Sequence, residues 1–168
     1  MHIDRVVTGL LEENCYILEK DNKLLVVDPG DDIDKINKVI NNREVLKVLI
    51  THKHFDHIGA LSYFDKSLVL NNTLSDYKIG PFKFSIITTK GHTKDSISYY
   101  FKEEKVLFSG DFLFKGTVGR CDLEGGNFNE MKESITKIKE YPKDIIIYPG
   151  HGESTTLEEE IKNNPYFK

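Results

Sequence analysis

Three of the six histidines in this 168-residue chain fall within six residues, as His52-x-His54-x-Asp56-His57, directly after the apolar run VLKVLI. Imidazole and carboxylate gathered in one loop are the donor types of zinc, manganese or iron sites, whereas structural zinc usually recruits cysteines. In an extended segment His52 and His54 point to the same side and can reach one metal. A turn into a following helix can aim Asp56 and His57 at a second.

The other candidates share a context. His92, Asp111 and His151 each follow a glycine, as Gly91-His92, Gly110-Asp111 and Gly150-His151, and each pair ends a short apolar or β-branched run. Glycine there permits a sharp turn that presents the next side chain. His92 would complete the set begun by His52 and His54, and His151 the set begun by Asp56 and His57. Asp111 would bridge the two. Two divalent cations balanced by Asp56, Asp111 and a hydroxide leave a centre of about +1, because histidine binds metal in its neutral form. Such a pair, about 3.5–4 Å apart, yields hydroxide near neutral pH and polarises a carbonyl or phosphoryl oxygen. His2 falls outside the pattern and reads as an ordinary polar residue. Asp28, in Asp28-Pro29-Gly30, reads either as a turn residue or as a carboxylate orienting a ligand.

Elements that would hold these residues are visible as short runs ending in polar loops. KLLVV, VLKVLI, FSIITT, KVLF and DIIIY read as buried strands whose ends share one edge of a layered structure. LEENCYIL and SISYYF read as two more strands. Helical spacing links Ile33, Ile36 and Ile40. It also links Ile58, Leu61 and Phe64 in a short helix after Asp56, and Met131, Ile135 and Ile138 behind an Asn129 cap, a helix ended by Pro142. Thr156 and Glu159 have capping-box spacing. Strands outnumber helices and the first half is hairpin-like, which favours two sheets with helices outside them.

The length suits one domain over residues 1–168. With 39% hydrophobic and 30% charged residues the composition is that of soluble globular proteins, and a net charge of −4 argues against a nucleic-acid partner. No apolar stretch approaches the roughly 20 residues of a membrane span, and MHIDRVV lacks a signal-peptide core, so a cytoplasmic protein with no membrane partner is expected. Cys15 and Cys121 stand in no metal spacing.

Taken in order, His52-x-His54-x-Asp56-His57, Gly91-His92, Gly110-Asp111 and Gly150-His151 resemble the metallo-β-lactamase superfamily. That resemblance implies an α/β (α+β) fold, the four-layer αββα sandwich, with a dinuclear site at one edge of the sheets. The stretch GDFLFKGTVGRCDLEGGN, Gly110 to Asn127, resembles the glyoxalase II-like (hydroxyacylglutathione hydrolase-like) branch, in a short form lacking that family's C-terminal helical domain. It implies two divalent ions, zinc first with iron or manganese as alternatives, held by His52, His54, Asp56, His57, His92, Asp111 and His151. Asp56 and Asp111 would act in catalysis by holding the hydroxide, and Arg120 would help hold a small-molecule thioester. The best-known zinc β-lactamases carry cysteine at the place matching Asp111, so antibiotic hydrolysis is not expected. Glutathione specificity is not implied, since the domain that grips glutathione has no counterpart here. Three rivals are a persulfide dioxygenase with one iron, a phosphodiesterase of the same superfamily, and a metal-stabilised binding domain. The acyl group, the thiol carrier and the oligomeric state stay open.

Overall fold

A computed structural model describes all residues, 1–168. Its first sheet has the order β1 (His2–Thr8), β2 (Glu13–Lys20), β3 (Lys23–Val27) and β4 (Glu44–Leu49). β1, β2 and β3 form an antiparallel meander, and β4 joins β3 in parallel after a crossover through α1 (Ile33–Ile40). A four-residue helix, α2 (Phe55–Ile58), follows.

The second sheet is built from β5 (Asp76–Ile79), β6 (Phe82–Thr88), β7 (Ile97–Phe101) and β8 (Val106–Gly110), all antiparallel. A small hairpin, β9 (Leu113–Phe114) with β10 (Thr117–Val118), precedes α3 (Phe128–Ile138). Then β11 (Ile146–Pro149) returns parallel to β8, and β12 (Thr155–Thr156) closes the edge before α4 (Leu157–Asn163).

Period-two alternation decides how the layers stack. In β2, Tyr16 and Leu18 face inward and join Leu25, Val27, Phe84, Phe101 and Phe108 between the sheets. Cys15 and Ile17 face the other way, against Ile36 and Ile40 of α1. Beyond the second sheet, Ile87, Leu107 and Ile147 pack on Met131, Ile135 and Ile138 of α3 and Leu157 of α4. The result is the four-layer helix–sheet–sheet–helix sandwich.

Several local expectations shift. The helix after Asp56 ends at Ile58, and Leu61–Tyr63 continues only as a 3₁₀ turn. Asn127, not Asn129, caps α3: its side chain accepts from the backbone N–H groups of Asn129 and Glu130. That helix also stops at Ile138, well before Pro142. The Thr156 cap is present, accepting from Glu159 N–H. His2 is exposed and contacts Asp4.

Candidate metal centre

β6, β8 and β11 run in one direction, so the loops after them open at one edge, where the loop after β4 arrives from the other sheet. Those four loops carry His52 to His57, His92, Asp111 and His151. The two sheets are tied together there. Asn14 N–H donates to Gly150 O at 2.7 Å, the Asn14 amide donates to Pro149 O and Gly152 O, and Tyr16 Oη donates to Pro149 O at 2.7 Å.

The glycines before the ligands serve in two different ways. Gly110 has φ +51°, the left-handed conformation expected of a tight turn. Gly150 does not. A Cβ there would lie 2.3 Å from Asp111 Oδ1 and 2.6 Å from His57 Cε1, so glycine is required by the close approach of the site itself.

The predicted residues converge in two groups. Donor atoms of His52, His54 and His92 lie within 4.8 Å of one another, as do those of Asp56, His57 and His151. His54 Nδ1 is 3.2 Å from His52 Nε2 and 2.9 Å from His92 Nε2. His151 Nε2 is 3.3 Å from Asp56 Oδ2. Asp111 stands between the groups, with Oδ1 3.2 Å from His57 Nε2 and Oδ2 3.5 Å from His92 Nε2 and 3.6 Å from His151 Nε2.

Whether these residues suit metal is decided by their outer nitrogens. His92 Nδ1 donates to Arg120 O at 2.8 Å and His151 Nδ1 to Leu11 O at 3.0 Å. His57 Nδ1 donates to Asp28 Oδ2 at 3.0 Å. Thr51 Oγ1 gives its proton to the same Asp28 oxygen and therefore accepts from His52 Nδ1 at 3.1 Å. All four rings thus carry a proton outward on Nδ1 and turn Nε2 toward the site, where its lone pair can serve a metal. The lone pairs of His52 and His92 both face His54 Nδ1, which can satisfy only one of them. Buried His57 Nε2 and Asp111 Oδ1 have no hydrogen-bond partner, being near each other but misaligned. Buried unpartnered polar atoms are costly, and a cation bound by both resolves them. The residues fit a metal.

Charge agrees. Burial, then the neighbouring His57, pushes His52 down to about 2, so it is neutral. Burial would raise the Asp111 carboxyl, but contact with His57 outweighs it and holds Asp111 at about 2, ionised. Burial also opposes charge on His57, yet the flanking Asp111 and Asp28 raise its pKa without an ion, so metal binding at Nε2 displaces a proton.

Asp28 is the orienting carboxylate rather than a mere turn residue. It accepts from His57, from Thr51 Oγ1 and from Thr51 N–H at 2.7 Å. The guanidinium of Arg120 pairs with Asp122 at the surface, and the part of Arg120 that meets the site is its carbonyl. Sequence reasoning missed Glu13. It is buried, accepts from Thr8 Oγ1, and leaves Oε1 unpartnered 3.7 Å from His57 Nδ1. Burial and the charge of Asp28 raise its pKa to about 9. An acid inside an apolar strand was the one signal available.

The metallo-beta-lactamase superfamily model matches residues 8–71 and 66–151. The chain is 33% identical to the probable metallo-hydrolase YqgX of Bacillus subtilis (strain 168), across 96% of this chain and 95% of that one. It is 30% identical to the hydroxyacylglutathione hydrolase GloC of Haemophilus influenzae, covering 99% and 98%. Among solved structures, the BLEG-1 B3 metallo-beta-lactamase superposes with a TM-score of 0.93 at 30% identity, over 99% of both chains. Sandwich, ligand order and matched length agree: the chain belongs to the metallo-beta-lactamase superfamily.

Proposed function

We propose that this protein hydrolyses a small hydroxyacyl thioester with two divalent ions, zinc first. His52, His54 and His92 would hold one ion and Asp56, His57 and His151 the other, with Asp111 shared. The observation carrying the reading is Asp111, whose carboxylate reaches both groups, Oδ1 toward His57 and Oδ2 between His92 and His151. Bound ions would supply Lewis acidity at the carbonyl and a lowered pKa for water. The chain's own part is positional. Asp28, Thr51, Arg120 O and Leu11 O fix the imidazole rings, and ionised Asp111 and Asp56 accept hydrogen bonds from the attacking water and aim its lone pair. Water adds to the thioester carbon, the C–S bond breaks, and the sulfur leaves as thiolate or, with the water's proton, as thiol. Arg120 can reach substrate only by releasing Asp122. The GloC relative supports the thioester class.

Thiol release from S-lactoylglutathione tests this, with metal-loaded protein beside a chelated sample and Asp111→Asn. Release lost in both controls is expected. No release from fully metallated protein would reject this thioester. A second reading, β-lactam hydrolysis, is favoured by the likeness to the B3 metallo-beta-lactamase structure. A chromogenic cephalosporin opened faster than the thioester would select it.

A further inference from the structure

We infer that this chain pairs with a second copy of itself through the free edge of β5, so that the second sheets of two molecules join into one.

β5 is the outermost strand of that sheet and is bonded on one side only, to β6. Ile86 N–H donates to Ser75 O at 2.7 Å, and this bond fixes which residues of the strand face β6. Antiparallel ladders alternate, so Tyr77 and Ile79 turn their backbone groups toward β6, while Asp76 and Lys78 turn theirs away. Two N–H groups and two carbonyls are therefore aimed outward along the edge. An open edge is a template for another strand, and charged side chains are a common safeguard against such pairing. Here the charges permit one register. Lys78 makes no ion pair within the chain, and its cross-strand neighbour is another lysine, Lys83, which is taken by Glu103. Asp76 accepts from the hydroxyls of Ser75 and Ser85 and has no cation beside it.

A two-fold axis centred on Tyr77 sets Asp76 opposite Lys78 of the second copy, and Lys78 opposite its Asp76. Both are hydrogen-bonded pairs, so the contact gains four backbone hydrogen bonds and two ion pairs. Tyr77 meets its own counterpart on the face turned toward the first sheet. An axis centred on Asp76 or on Lys78 would instead set like charges against each other, which is destabilising. The flanking residues agree with the Tyr77 register. Leu74, just before the strand, is 62% exposed, and it comes to lie beside the turn at Gly80 of the second copy, where no side chain stands. A contact this short makes a reversible, concentration-dependent dimer.

Sedimentation velocity from micromolar to millimolar protein tests this, and the average mass should rise toward that of two chains. Lys78→Asp turns two attractive pairs into repulsive ones and should raise the dissociation constant about tenfold or more. The swap Asp76→Lys, Lys78→Asp restores opposite charges and should restore the dimer, with folding checked by melting temperature. A single chain at every concentration overturns the pairing, as does a dimer indifferent to Lys78→Asp or a folded swap variant that stays dissociated. Hydrogen exchange on the unaltered protein reads the same contact without any variant. The amides of Asp76 and Lys78 should exchange freely when dilute and slow by about tenfold when concentrated. Equal exchange at both concentrations overturns the inference.

Discussion

Asp28→Asn is a near-isosteric change whose cost can be worked from three hydrogen bonds. The carboxylate accepts from Thr51 N–H through one oxygen, and from Thr51 Oγ1 and His57 Nδ1 through the other. An amide has one acceptor end only. If its oxygen keeps Thr51 N–H, its NH₂ meets His57 Nδ1 and Thr51 Oγ1. Both rings then change tautomer: His57 moves its proton to Nε2, and Thr51 turns its own proton onto His52 Nδ1. One Nε2 in each ligand group is blocked. Turning the amide over restores both rings but presses NH₂ against Thr51 N–H, two donors at about the 2.7 Å contact seen now. Metal loading must force that second arrangement, so the loss is the cost of a buried unmade hydrogen bond, about 1–3 kcal/mol. Because a single amide serves both groups, the penalty enters once, and the overall two-ion binding constant should fall about 5- to 150-fold. Competition against a chromophoric chelator measures that constant, and ¹⁵N NMR of the imidazoles reads the tautomers. Unchanged affinity with His52 Nε2 still unprotonated in the metal-free variant would refute the reasoning.

Three other outcomes are expected. Gly150→Ala drives a methyl into Asp111 and His57, so it should cost about 1–3 kcal/mol of stability and roughly 100-fold in turnover through a displaced site, read by melting and steady-state assays. Glu13, raised to about 9, keeps its proton in the fold but loses it above about 4.5 when unfolded. Its contribution is therefore present below that lower value and drains away as pH climbs through about 9. In chelator, Glu13→Gln should gain melting temperature over the wild type between pH 5 and pH 9, and the opposite trend would disprove the assignment. Asn127→Ala removes the α3 cap, at about 1 kcal/mol or roughly 2–4 °C in the thermal midpoint.

Much of this architecture could be read from the chain because its strands are short, β-branched and punctuated by polar loops. KLLVV is β3 residue for residue, and each loop picked out for its histidine or aspartate lies at the same edge. What escaped was decided by tertiary contact. Asn127 and Asn129 are both plausible caps by type, and only the extended backbone at Asn127 makes it the one that accepts from the helix. The segment after Asp56 has helical spacing, but Ala60 N–H bonds to Pro29 O and Gly30 O and the chain leaves the helix there. β1 passed unnoticed because its exposure alternates only at its last residues. Within the site, residue types and spacing announced the inner donors. Of the outer partners Asp28 was legible as one of two readings, while backbone oxygens such as Leu11 O and Arg120 O have no signature in a sequence.

The seam where Asn14 and Tyr16 grip Pro149, Gly150 and Gly152 has a consequence for biogenesis. β2 and the His151 loop lie at opposite ends of the chain, so a polypeptide emerging from the ribosome holds the His52 to His57 loop long before His151 exists. Neither the seam nor the second ligand group can form until β11 has been made and docked between β8 and β12. Capture of the second ion is therefore a closing event of maturation, and the metal-dependent rise in protease protection that needs both ions should be absent from nascent chains arrested before residue 146.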